Sequence, residues 1–248
     1  MDQARIPGPK RGLKAPAKPS ILLTQKMFRT AFILSVAALA SLPARGQEES
    51  PKGLAGSIDG NLYTSPTGAF TIEIPVLPAL GGVIRDTPNV VTFHDGFGLQ
   101  LTVGAFAQDA TLRWELSTRG TKDYLIYFFG SYVLPDLKRF CPATSIQSAG
   151  YSADLEEGTL FTYILMPGGS MFADHIVFGK PSDPPVAKRG NAVFVRNGFT
   201  IVISTELSER ITEGSHYSKT VEEENQILRT RMLAVVRKMQ FPKPPAPK

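Results

Sequence analysis

The stretch NAVFVRNGFTIVIST, residues 191–205, carries Asn197-Gly198 between two arms rich in β-branched and aromatic residues. Asn-Gly accepts positive φ at both central positions of a two-residue hairpin turn, and the twist of that turn matches the strands it joins. Cross-strand pairing then sets Phe194 opposite Ile201 and Ala192 opposite Ile203. A chain that folds back on itself in this way builds antiparallel sheet.

Two further hairpins are expected upstream. In NLYTSPTGAFTIEIP, residues 61–75, Phe70, Ile72 and Ile74 alternate with Thr71 and Glu73, and Ser65-Pro-Thr-Gly68 turns Leu62–Thr64 back onto them. In VVTFHDGFGLQLTV, residues 90–103, Asp95-Gly96 predicts a two-residue turn with Val90 opposite Leu101 and Thr92 opposite Leu99. Residues 158–166, GTLFTYILM, are apolar on both alternations and read as a central strand; residues 171–178, MFADHIVF, read as its partner across Pro167-Gly168-Gly169.

The apolar period changes twice. Leu125, Phe128, Phe129, Tyr132 and Val133 form one stripe of a helix with Thr121 placed to cap it. Val221, Leu228, Met232, Val235, Val236 and Met239 form a second, with Glu222–Glu224 at its positive end and Arg237 and Lys238 at its negative end. The expected class is therefore α+β: a central antiparallel β-sheet built of hairpins, with two amphipathic helices packed on one face.

Tyr63-Thr-Ser-Pro followed by Gly68-Ala-Phe-Thr-Ile-Glu-Ile-Pro75 resembles the opening hairpin of PsbP-like proteins. Leu228–Phe241, ending Val236-Arg-Lys-Met-Gln-Phe241, is similar to their closing helix. The resemblance implies a central antiparallel sheet with helices packed against it. It also implies an exported or lumenal accessory role without catalysis, often as a subunit or binding partner. No metal or photosystem contact of that family has a matching position here.

The N-terminal region reads as an address. Residues 27–46 begin Met-Phe-Arg, continue with the uncharged run Ala31–Leu42 and end at Pro43-Ala-Arg-Gly46, the anatomy of a signal peptide cut between Gly46 and Gln47. A membrane-spanning helix needs about 20 apolar residues, so a permanent anchor is the alternative, not the first reading. Residues 1–26 are Pro-rich and basic and cannot form a core; they are either a disordered extension or sequence preceding a true start at Met27. Residues 47–60 read as a linker, 61–241 as a single domain, and 242–248 as a disordered Pro-rich tail. The expected location is secreted or periplasmic, with membrane contact only through the export signal.

Residues 1–46 hold eight of the 27 basic residues and one of the 22 acidic ones, leaving 19 against 21, a formal balance of −2. The basic character belongs to the leader, and no basic stripe interleaved with aromatics remains, which excludes a nucleic-acid footprint. Cys141 is the single cysteine, so no internal disulfide can form, and a small buried hydrophobe is the reading for it.

Candidate chemistry is sparse. His94 and His175 are the residues a metal or hydrolytic site would require, together with an acid, but no histidine pair at ligand spacing exists. Gly168-Gly169-Ser170 lacks the arrangement of a nucleophile elbow. Lys188 and Arg189, with Arg196, are the candidates for attracting a small anion. Glu206 and Glu209 are expected to pair with Arg189 or Arg210. No cofactor is expected. The leading expectation is a non-catalytic exported protein binding an unknown protein or a small anionic ligand on the uncovered sheet face, with Phe93 and Phe106 as exposed aromatics. The alternatives are an extracytoplasmic hydrolase or metal-dependent enzyme, and an envelope protein tethered by its uncleaved N-terminal segment.

Overall fold

The computed structural model describes residues 53–175 and 185–242. Its main element is a seven-stranded sheet, antiparallel throughout, in the order β4-β5-β6-β10-β9-β8-β7. The strands are β4 Val83–Asp86, β5 Val90–His94, β6 Gln100–Ala107, β7 Ser145–Ser152, β8 Thr159–Pro167, β9 Val186–Arg196 and β10 Phe199–Glu206. A second sheet of four short strands has the order β1-β2-β3-β11, from β1 Ser57–Asp59, β2 Leu62–Thr64, β3 Thr71–Glu73 and β11 Met239–Gln240. Residues 57–59, read as linker, thus pair with β2. The leader, the start of the linker and residues 243–248 lie outside the described residues.

The hairpin of residues 191–205 forms with the expected register, Phe194 opposite Ile201 and Ala192 opposite Ile203. Asn197 and Gly198 sit at φ 49° and 79°, the positive values that select this residue pair. The β5–β6 hairpin differs. His94 pairs with Gln100 and Phe93 with Leu101, so the loop spans residues 95–99 rather than two residues. The cause is the Asp95 carboxylate, which accepts from the backbone N–H of Phe97, Gly98 and Leu99, each at 2.9 Å, and rolls the chain into a longer loop. Strand β8 pairs with β9 and with β7, which take both of its edges. Within that stretch Ala173–His175 forms a 3₁₀ turn, and residues 176–178 lie outside the described residues.

The α+β class with a hairpin-built antiparallel sheet is what the molecule adopts, but its helices occupy both faces. Helix α1 (Ala110–Arg119), helix α2 (Thr121–Phe128), a π turn (Phe129–Val133) and helix α3 (Leu134–Phe140) run nearly end to end. They bury Leu112, Tyr124, Leu125, Phe128 and Phe129 against Leu160, Val193 and Val202. After a short helix α4 (Glu209–Thr212), helix α5 (Val221–Lys238) lies with the small sheet on the opposite face. There Leu228, Met232 and Val236 join Tyr63, Phe70, Ile72, Phe161, Ala192 and Ile201. Ala192 and Val193 are neighbours in sequence and belong to different cores, as the two-residue period of a strand requires. Burial of each such side chain contributes on the order of 1.5–3 kcal/mol, so both layers are needed for stability.

Local chemistry explains the helices. The residue before α2 is Gly120 at φ 76°, and Thr121 is the first helical residue rather than the cap. The π turn precedes Pro135, whose ring would clash with a carbonyl four residues back in a continuous α-helix; widening the turn relieves that clash. Gly190 lets α5 approach β9, since a Cβ there would lie 2.9 Å from Met232 Cε and 3.0 Å from Leu228 Cβ. Helix α5 opens with a capping box: Thr220 Oγ1 accepts from Glu223 N at 3.3 Å and Thr220 N donates to Glu223 Oε2 at 2.7 Å. Thr220→Ala is expected to cost about 1 kcal/mol and to lower Tm by about 2–4 °C, which thermal denaturation at neutral pH will read.

Candidate ligand cavity

Register places residues in rows across the strands, and the rows on the α1–α3 face change character abruptly. Val90, Gly104, Val202, Val193 and Leu160 make an apolar row on β5, β6, β10, β9 and β8. Two residues along each strand lies a row of Thr92, Thr102, Ser204, Asn191 and Thr162, polar on all five strands. All but Thr102 are buried, although a sheet face beneath helices would ordinarily be apolar. The row after that holds His94 and Gln100 on one side and Glu206, Arg189 and Ile164 on the other.

Part of this polar floor satisfies itself. Thr92 and Thr102 share a hydrogen bond of 3.0 Å, Gln100 Nε2 donates to Thr102 Oγ1 at 2.8 Å, and Asn191 Nδ2 donates to Thr162 Oγ1 at 3.3 Å. The Glu206 carboxylate, fully buried, accepts from Ser170 Oγ at 2.6 Å, from Met171 N at 3.1 Å and from Arg189 Nε and Nη2 at 3.3 and 3.2 Å. Arg189 Nη2 also donates to Gly169 O at 3.3 Å, tying the loop after β8 to the floor. Other groups are unspent: among the described residues Ser204 Oγ, Asn191 Oδ1 and Arg189 Nη1 make no hydrogen bond. Gln100 Oε1 is sealed from water without a partner. Leaving a buried acceptor unpaired costs about 1–3 kcal/mol.

Over this floor lies a cavity of about 280 Å³. Its polar base is Gln100, Thr102, Ser204, Asn191 and Arg189. Val133, Leu137 and Phe140 wall it from the helices, Val90, Phe106 and Val202 from the apolar end, and Met166 and Met171 from the loop side. Cys141 lines it as well, with its thiol donating to Pro167 O at 3.0 Å. Among the described residues the lining contains no histidine, lysine or carboxylate, and Ser170 in it donates to the Glu206 carboxylate behind it.

The anticipated anion cluster does not assemble. Lys188 and Arg189 point to opposite faces of β9, and Lys188 is fully buried, donating to Glu224 Oε2 on α5 at 2.8 Å. Arg196 lies at the far end of the strand, paired with Glu156 at 3.4 Å and over the ring of Phe241. Only Arg189 reaches the cavity. His94 ends β5 with its ring stacked on Phe172, centroids 5.3 Å apart, and His175 closes the 3₁₀ turn. No group of three His, Cys, Asp or Glu side chains is placed to hold a metal among the described residues. Neither sheet face is uncovered, and Phe93 and Phe106 are buried, one in each core, so the expected exposed aromatic surface is absent at those positions.

No protein-family model and no curated protein matches the chain. Among solved structures it is similar to the Ran-binding protein Mog1p of Saccharomyces cerevisiae, at 11% identity over 75% of this chain and 97% of that one, TM-score 0.44. It is also similar to the cyanobacterial PsbP (CyanoP) of Synechocystis, at 14% identity over 81% of this chain and 99% of that one, TM-score 0.40. The resemblance to either structure is one of fold alone.

Proposed function

We propose that this chain is a non-catalytic binding protein, delivered outside the cytoplasm by residues 27–46, whose cavity on the α1–α3 face takes a small amphipathic molecule. The observation that carries the reading is the polar row Thr92–Thr102–Ser204–Asn191–Thr162 under apolar walls. A core gains nothing from burying half-satisfied hydroxyls and amides, whereas a ligand site uses them to fix orientation. About 280 Å³ is roughly twice the space that accepts benzene in an engineered apolar cavity, which suits a ligand of on the order of ten to fifteen non-hydrogen atoms.

The full chain, expressed in a host that exports it and purified without detergent, is expected to begin at Gln47 and to carry a co-purifying small molecule in native mass spectrometry. Ser204→Phe places a phenyl ring in the cavity and is expected to abolish that adduct while retaining the fold by circular dichroism. An adduct of equal occupancy in the variant would remove the cavity from the reading. An intact leader on cytosolic protein would remove export. Recovery of the chain only in a complex, its cavity free of any small molecule, would favour a protein partner.

A further inference from the structure

We infer that the cavity selects an uncharged polar head that both donates and accepts hydrogen bonds, such as a primary amide or hydroxyl, on an aliphatic body, and discriminates against the corresponding carboxylate. The inference rests on the proposal that the cavity binds a small molecule, and it specifies the chemical class. Its first support is charge balance. Arg189 is the sole cationic side chain in the lining, and Glu206, fully buried, already takes two of its donors at 3.2 and 3.3 Å. The floor is therefore neutral before any ligand enters. A carboxylate would bring a net negative charge beside Glu206 into a site with no further cation, and an uncompensated charge is far costlier to bury than a neutral group.

The second support is the kind of group left unspent. Arg189 Nη1 can donate, Ser204 Oγ can donate or accept, and Asn191 Oδ1 can only accept. A carboxylate has no proton to offer the Asn191 amide oxygen. A primary amide or alcohol offers both a donor and an acceptor, and its chain would run along Val202, Val90 and Phe106 toward Val133 and Leu137. The abrupt change from polar to apolar row across a single pleat step fits a molecule with one polar end.

Octanamide and octanoate, of equal length and about ten non-hydrogen atoms, separate the two cases. Isothermal titration of the full mature chain at pH 7.5 is expected to give one site for octanamide, with affinity at least tenfold higher than for octanoate. Ser204→Ala is expected to weaken octanamide about three- to tenfold and to leave the octanoate value within twofold. Equal or tighter binding of octanoate would overturn the neutral-head inference while leaving a small-molecule cavity intact. Binding of neither probe, with a co-purifying adduct still displaced by Ser204→Phe, would likewise overturn the inference alone. Binding of neither probe and no adduct would sink both it and the proposed function. If Ser204→Ala fails to fold, Asn191→Ser is the second variant, and an unchanged octanamide affinity in it would count against the inference.

Discussion

Glu224→Gln is expected to remove about 3–5 kcal/mol of stability and to lower Tm by on the order of 10 °C. Glu224 is almost wholly buried on α5, and its carboxylate is the hub for three donor side chains. Oε2 accepts from Lys188 Nζ at 2.8 Å, while Oε1 accepts from Arg210 Nη1 at 2.6 Å and Tyr217 Oη at 2.9 Å. Lys188, itself fully buried, has otherwise only Val221 O at 3.4 Å and the Tyr163 ring at 5.9 Å. A glutamine amide cannot accept from all three donors and would turn its N–H₂ toward at least one, stranding the Lys188 ammonium. Removing the cation as well should recover much of the loss, so Lys188→Met in the Glu224→Gln background is expected to be more stable than Glu224→Gln alone. Urea denaturation of the four-member cycle measures the coupling; additive losses, or a fall in Tm under about 3 °C for Glu224→Gln, would show that the network is not stabilising as described. The pH dependence has a definite sign. Burial alone would raise the Glu224 carboxyl, but the hydrogen bonds from Lys188, Tyr217 and Arg210 outweigh it and hold the group below its usual value. A carboxyl lowered on folding contributes stability that is present above its unfolded value and lost as pH falls through the folded one. Wild-type protein should therefore lose more stability than Glu224→Gln on acidification from pH 5 to pH 3.

That hub was not legible in sequence, and the reason lies in what a strand pattern can and cannot reveal. Charge and proximity lead to Glu206 with Arg189, a pair on the other face of β9, and to Glu206 or Glu209 for Arg210, whose partner is instead Glu224. The partner of Lys188 sits 36 residues away on a helix packed over it, which no local pattern encodes. The same limit governs the hairpins. Asn197-Gly198 fixes its own register through backbone conformation, so residues 191–205 were readable from end to end. Asp95-Gly96 looks equivalent, yet its side chain captures three backbone amides and moves the pairing of His94 to Gln100. Helix α1 carries a cap signal, Asp109 Oδ1 accepting from Leu112 N at 2.8 Å, but of its residues only Leu112 is buried, so it lacks an apolar stripe to announce it. Strand β7, SIQSAGYS at the sheet edge, buries no side chain fully and shows no alternation. The cavity floor is the instructive case. Each strand contributes one inconspicuous polar residue to it, and the row of five appears only when four registers are known together.

Asp136→Asn is expected to stabilise the protein by about 2–3 kcal/mol at pH 7.5 and by under about 1 kcal/mol at pH 4. Asp136 lies in the first turn of α3 with its side chain 4% exposed, and neither carboxylate oxygen accepts a hydrogen bond. Its nearest cation, Arg139 Nη1, is 3.8 Å away on a half-exposed side chain and gives limited compensation. Burial pushes the carboxyl up from 3.8 to about 6 against the weaker opposing pull of Arg139. Because the folded value lies above the unfolded one, the folded state holds the proton more tightly. The favourable contribution is complete below the unfolded value and is lost as pH rises through about 6. At 1.36 kcal/mol per unit the difference amounts to about 3 kcal/mol at neutral pH, an upper figure because the amide that replaces the carboxyl is itself left without hydrogen-bond partners. The amide cannot ionise and so escapes this penalty, giving a rise in Tm of about 5–10 °C at pH 7.5. A rise of the same size at pH 4 would assign the gain to packing or helix propensity instead, and no rise at either pH would mean that the carboxylate finds solvent. Helix α3 also supplies Leu137 and Phe140 to the cavity wall. Exchange protection of its amides, corrected for intrinsic rates, should therefore fall between pH 5 and pH 7.5 in the wild type and stay level in Asp136→Asn, tying the firmness of that wall to a single proton.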